Sequence, residues 1–232
     1  MSQSLLLRLK GPMQSWGDSS RFTARATSAR PTKSGVIGLV AAALGRPRDA
    51  QIDDLTHLGF SVRVDQPGSL LHDYQTAERW QTNGRTSLVS RYYLADAVFV
   101  AAITSEDAAI LNALDSALIS PRFPLFLGRR SCPANVDLVI GLVDGDGEAA
   151  LRALPWQATV AHRQTRSREV ALPIFRDARN GESGVDQRDV PISFDQRDRR
   201  YGWRKVVEAE PVRFQNPDGR VDDPFFEAVV SA

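Results

Sequence analysis

The run Ala97 to Ile103, AVFVAAI, holds no polar side chain. Continuous apolar character of this kind reads as a central strand. The segments around it supply neighbours. Ser4 to Leu9 reads as a short buried strand, Phe60, Val62 and Val64 alternate as a strand should, and Val136 to Val143 is a further strand. Thr32 or Ser34 can cap a helix whose apolar residues Val36, Ile37, Leu39, Val40 and Leu44 form a stripe and whose stop is Gly45. Ser105, Glu106 and Asp107 open a second helix carrying Ile110, Leu111, Leu114 and Leu118. The order is β-α-β-β-α-β. That is the ferredoxin-like α+β arrangement, an antiparallel sheet covered on one face by two helices.

One connection is too long for this plan. Gln66 to Asp96 far exceeds the ~2–5 residues of a hairpin loop. Folding it about Asn83-Gly84 predicts a projecting β-hairpin that pairs Tyr74 with Tyr93 and Trp80 with Ser87. Tyr74, Trp80, Arg85, Arg91 and Tyr93 then share one face, with Arg79 and Tyr92 on the other. Aromatic faces interleaved with arginine suit unstacked bases, and equally a hairpin packed on its own domain or a protein neighbour.

Charge is unevenly spread. The chain nets +1, yet between Arg8 and Arg48 eight basic residues (Arg8, Lys10, Arg21, Arg25, Arg30, Lys33, Arg46, Arg48) face one acid, Asp18. Arg30, Lys33 and the free amides of the first helix converge into an expected anion site. A solvated polar loop is the plainer alternative. A second loop, Pro121 to Pro133, holds Arg122, Arg129 and Arg130 and no acid. Its Gly128 permits close backbone approach, and the arginine pair can clamp a phosphate or sit in ordinary ion pairs. Only three of the 29 basic residues are lysines, which favours groups that fork onto phosphate, as a GC-rich genome also would.

From about Pro155 the pattern changes to short β-like runs broken by proline: ATVAHRQT, REVALPIF, RDVPISF and YGWRKVVEAEPVRF. The expected division is therefore residues 1–150, with the hairpin at about 66–96 inserted, and a small β-rich unit at 151–232. Arg176 to Asp189 reads as a mobile polar loop, and the tail after Lys205 is acidic, with Phe225 and Phe226 able to dock on the chain or a partner.

Most familiar chemistry is missing. Cys132 is alone, which excludes an internal disulfide or zinc knuckle, and His57, His72 and His162 are scattered. No metal or cofactor is expected. Gly145 to Ala150 fits G-x-G-x-x-A only superficially, because the strand and helix alternation of a dinucleotide-binding sheet does not follow. No run is long enough for a membrane span and no signal peptide is evident, so a cytoplasmic protein is expected. Metal-independent RNA cleavage by His72 and Tyr74 beside a basic groove remains open.

Five segments in order carry a family resemblance: LRLKGPMQSWG (Leu7 to Gly17), RPTKSGVIGLVAAALG (Arg30 to Gly45), HDYQT (His72 to Thr76), RYYLADAVF (Arg91 to Phe99) and PRFPLFLGRRSCP (Pro121 to Pro133). Together they resemble the E-subtype Cas-five family, in the RAMP superfamily, of the type I-E CRISPR surveillance complex, Cascade. The resemblance implies a ferredoxin-like (RRM-like, RAMP) domain with a protruding thumb hairpin, then a small C-terminal β unit. It implies a non-catalytic subunit of a ribonucleoprotein for antiviral defence that holds the 5′ handle of the CRISPR RNA. The thumb would contact a neighbouring backbone subunit, near the large subunit that reads the target DNA's flanking motif. The type I-C counterpart cuts RNA with a Tyr, Lys and His triad, and here neither Lys10 nor Lys33 has a histidine neighbour in sequence.

Resemblance and residue chemistry together place RNA at Gln14, Trp16, Arg25, Arg30, Lys33, Ser34, Arg129 and Arg130. Tyr74, Trp80, Arg85 and Arg91 of the thumb would touch RNA or a neighbouring subunit. The alternatives are a metal-independent CRISPR repeat endoribonuclease using His72 or Tyr74, and a protein-binding adaptor whose arginines are ion-paired.

Overall fold

The computed structural model describes residues 2–17, 24–77 and 86–220. The N-terminal part runs through β1 (Gln3–Lys10), β2 (Met13–Gln14), β3 (Trp16–Gly17), β4 (Ala24–Arg25) and β5 (Thr27–Ser28) into helix α1 (Lys33–Ala43). A short α2 (Asp53–Thr56) precedes β6 (Gly59–Gln66), the thumb strands β7 (Ser69–Ala77) and β8 (Ser87–Ala95), and β9 (Val98–Ser105). Then come α3 (Ala108–Ile119), β10 (Val139–Asp144), α4 (Gly147–Ala153) and α5 (Val160–Arg163). The chain closes with β11 (Glu169–Asp177), β12 (Val185–Ser193) and β13 (Arg200–Gln215).

This is a mixed α/β fold whose strands are mostly antiparallel. Among the described residues its main sheet has seven strands in the order β10-β1-β9-β6-β11-β13-β12. β9 sits beside β1 and β6, and its residues Val98 to Ile103 are buried on both faces. On one face Leu5, Leu7, Leu9, Phe60, Phe99 and Ile103 pack against Val36, Ile37 and Val40 of α1 and Leu111 and Leu114 of α3. Thr32 is the residue that caps α1, accepting from Gly35 N at 3.2 Å, and Gly45 ends that helix at φ +75°.

The second face departs from the expected single helical layer. Leu6, Val100 and Ala102 meet Ala150 and Leu151 of α4, with Ile174 and Ala209 alongside. The glycine motif before α4 serves this packing. Asp146 caps the helix, its Oδ1 accepting from Ala149 N at 2.8 Å, and a Cβ on Gly147 would lie 2.9 Å from both Ser61 Oγ and Thr104 Oγ1.

The C-terminal segments extend the same sheet, since β11 pairs with β6 through Ile174↔Arg63, Phe175↔Val62 and Arg176↔Ser61. One of the β-like runs is different: within ATVAHRQT, Thr159 Oγ1 accepts from His162 N and starts the turn of α5. A buried ion pair fastens the linker behind α4. Arg63 and Asp65 meet at 2.7 Å with neither side chain exposed, and Arg63 also donates to the carbonyls of Leu151, Leu154 and Pro155. Asp65 accepts from Gln157 N at 2.6 Å. The segment expected to be a mobile loop is tied down, because Glu182 grips Arg176 at 2.6 and 2.8 Å and accepts from Arg179 N at 2.9 Å.

Candidate nucleic-acid interface

The basic stretch after β1 does not stay a loop. β2 pairs antiparallel with β8 (Met13↔Ala95, Gln14↔Leu94), β4 pairs parallel with it (Ala24↔Ser90, Arg25↔Arg91), and β3 pairs with β5. Its described strands β2 and β4 therefore both pair with β8 at the root of the thumb.

Burial at this root corrects several sequence expectations. Gln14 and Trp16 are fully enclosed and present no surface to a ligand. The Gln14 amide donates to the carbonyls of Leu9 and Ala97 at 3.0 and 2.7 Å and accepts from Trp16 Nε1 at 3.1 Å. The Gln14 amide thus gives two buried backbone carbonyls a donor.

The anion site at the start of α1 exists, but the chain fills it. Asp189 of β12 accepts from Lys33 N at 2.9 Å, so its carboxylate sits where a phosphate was expected. Lys33 is buried, with Nζ 3.3 Å from Asp177, and burial, only partly offset by Asp177, lowers its ammonium below the usual lysine range. Arg204 closes the cluster, reaching Asp189 and Asp177 at 2.6 Å each. Arg30 is half-buried with its guanidinium 4.0 Å from the centre of the Phe175 ring and Nη2 3.2 Å from Gln187 Oε1. Burial, then the charge of Arg204, lowers its pKa. Ser34 is half-buried, 3.4 Å from Thr32 Oγ1.

The second arginine loop packs against the same root. Gly128 adopts φ +92°, and a Cβ there would fall 1.7 Å from the Ser15 carbonyl oxygen. Ser15 N donates to Leu127 O at 3.0 Å, and Cys132 N to Arg129 O at 2.9 Å, so Arg129 and Arg130 stand on a turn between buried Leu127 and Cys132. Arg129 donates to the carbonyls of Tyr92 and Ala26 at 3.2 and 3.4 Å and lies 4.8 Å from the Tyr93 ring centre. Arg130 is exposed and has no carboxylate partner among the described residues. Burial pushes the Tyr93 phenol up, but hydrogen bonds from Ser131, Arg129 and Arg91 outweigh it and hold the group below the usual phenol range. Arg91 thus joins the cluster, with its Nε buried and without a hydrogen-bond partner among the described residues.

The thumb is a hairpin, with its register displaced from the expected one. Tyr74 pairs with Ser90 and Leu71 with Tyr93, a shift of three positions opposite Tyr74 (93 − 90). An odd shift exchanges the faces. Tyr74 now shares a face with His72 and Tyr92, the His72 ring stacking on Tyr92 at 4.5 Å and meeting Tyr74 edge-on at 4.3 Å. Arg91 and Tyr93 lie on the other face, where Tyr93 is buried at the root. Tyr74, Leu70 and Leu88 are each about two-thirds exposed, an apolar surface the sequence reading overlooked. Trp80 and Arg85 lie outside the described residues, and Arg25 is described here by its backbone pairing alone.

The geometry defines a class: an α/β protein with a β-hairpin arm, whose root gathers guanidinium groups on a clasp between two loops. A sequence profile described as CRISPR-associated protein (Cas5) matches residues 4–207. The chain belongs to the Cas5 family of CRISPR-associated proteins. It is 35% identical over 160 residues to CRISPR system Cascade subunit CasD of Escherichia coli (strain K12), covering 61% of this chain and 71% of that protein. A solved structure described as a CRISPR RNA-guided surveillance complex matches with TM-score 0.76 and 31% identity, over 97% of this chain and 96% of that one. Another, described as a crystal structure of a Cas protein, matches with TM-score 0.69 and 37% identity, over 95% and 100%.

Proposed function

We propose that this chain is a non-catalytic, RNA-binding scaffold subunit of a type I-E CRISPR surveillance complex of the Cascade kind. It holds the 5′ handle of the CRISPR RNA at the thumb root and meets the backbone and large subunits, and through the complex the target DNA, in the cytoplasm. The observation that carries this reading is the exposed Arg130 beside Arg129 and Arg91, since an exposed arginine without an acid is free to take a phosphate. Likeness to a Cascade subunit and to a chain of an RNA-guided complex supports it.

The frame reads best as ferredoxin-like. β10, β1, β9 and β6 lie side by side and antiparallel, with α1 and α3 as the crossovers, and β11, β13 and β12 form a β-rich extension. The exposed apolar thumb face, Leu70, Tyr74 and Leu88, is suited to a neighbouring subunit. Against a Tyr, Lys and His triad, Lys33 is enclosed beside Asp177, which favours a scaffold over that kind of nuclease. Incubating the purified chain with repeat RNA in EDTA tests this directly. Intact RNA with a measurable affinity is expected, and cleavage would overturn it.

A further inference from the structure

Trp203 is 66% exposed, a large aromatic surface on strand β13, where Val206 and Ala209 are buried. From Tyr201 to Ala209 β13 runs as continuous strand, in regular register with β11 from Val206 to Ala209, while β12 carries a register shift between Gln187 and Val190, opposite Trp203. Arg204 lies on the α1 side, among Asp177, Asp189 and Phe60, whereas Ala209 packs with Ile174 and Leu151 under α4. Trp203 therefore belongs to the α4 face, at a level that α4 leaves open. Tyr201 and Lys205 flank it there, and the exposed Arg199 directly precedes the strand.

Tyr201, Trp203 and Lys205 follow one another at roughly 6.6 Å per step, and with Arg199 just ahead of the strand the row reads cation, aromatic, aromatic, cation. Arg188 of β12 donates from Nε to the Tyr201 carbonyl at 3.2 Å and adds a guanidinium beside it. The neighbouring acids are Asp186, 3.1 Å from Lys205, Asp198, 3.0 Å from Arg200, and Asp195, which accepts from Arg197 N at 2.8 Å, with Glu182 lining the same cavity as Lys205. The side chains of Arg188, Arg197 and Arg199 have no carboxylate partner among the described residues. A buried protein contact would strand these cations without a partner, whereas a polyanion with flat, stackable groups satisfies both charge and ring.

We propose that this row binds single-stranded nucleic acid, with bases stacked on Trp203 and Tyr201 and phosphates on Arg199, Arg188 and Lys205. The site is separate from the thumb root. It lies on the β13-β12 edge, beyond β11 from the strand β6 that leads into the thumb, and on the face opposite α1.

The test is an anisotropy titration of the full-length chain with oligouridine RNA and oligothymidine DNA, in an Arg130→Ala background that weakens the thumb root. Trp203→Ala should weaken binding about fivefold or more, and Trp203→Phe should restore most of it. Arg199→Ala should flatten the salt dependence. A loss for RNA alone would assign the row to the guide, and a loss for DNA alone to a target strand. Unchanged affinity for both oligonucleotides in Trp203→Ala and in the Arg199→Ala/Trp203→Ala pair overturns the proposal and leaves the thumb-root reading standing. Unchanged affinity together with loss of a co-purifying subunit also overturns it, because the row then belongs to a protein contact.

Discussion

Asp189 decides what the first helix of this protein can do. Its carboxylate takes the amide of Lys33 and two nitrogens of Arg204, so the positive end of α1 is neutralised from within the chain. That contact could not be read in sequence. Lys33 and Asp189 are 156 positions apart, and the local pattern of arginine, lysine and helix start is the same whether the anion is foreign or the chain's own. The second arginine loop was more legible, because Gly128 and the absence of any acid are local facts. The two clusters predict opposite phenotypes. Asp189→Ala should cost about 3 kcal/mol of folding stability, measured by chemical denaturation, because Arg204 and the Lys33 amide lose a buried partner. Arg130→Ala should leave stability unchanged and weaken binding of a CRISPR RNA handle by ~1.5–3 kcal/mol in a direct titration. An unchanged affinity would remove Arg130 from the interface.

Elements were legible where one segment's own pattern determines them. β1, β6, β9, α1 and α3 appear where alternation, apolar runs and caps place them, and Thr32 and Gly45 bound α1 as their types require. The thumb existed in the sequence as a hairpin, but its register did not, because burial of Tyr93 and Leu94 at the root and pairing of β2 onto β8 fix it from outside the hairpin. Asn83-Gly84 marks only the local turn tendency. The loop clasp is testable at this scale. Gly128→Ala should destabilise by at least about 2 kcal/mol, through both the left-handed backbone and the collision with Ser15, and a melting temperature matching wild type would show that the clasp opens freely. The loop after β11 has its own signature. Arg176 and the Arg179 amide hold the Glu182 carboxyl at about 2, against 4.5 ordinarily. A depressed carboxylate stabilises above its ordinary value and loses that contribution as pH falls from about 4.5 to about 2. Denaturation midpoints followed through this window should decline, and Glu182→Gln should flatten the decline.

At the scale of the whole molecule, the division near residue 150 describes composition better than it describes stability. β11 hydrogen-bonds to β6, α4 covers Leu6, Val100 and Ala102, and the Arg63–Asp65 pair binds the linker behind α4 to the first sheet strands. Asp177 and Asp189 reach back to Lys33, and Arg204 stacks on Phe60 at 5.3 Å. A chain cut after residue 150 would therefore expose the edge of β6 and leave Arg63 without three of its carbonyl acceptors. Each loss exposes apolar surface or strands a buried charge, and their sum exceeds the margin of a typical domain. A fragment of residues 1–150 should accordingly fail to unfold cooperatively, and adding 151–220 back in one chain should restore a single transition. A sharp thermal transition from the fragment alone would show instead that the first α/β layer is self-sufficient, and that the C-terminal strands are an appendage docked on a finished sheet.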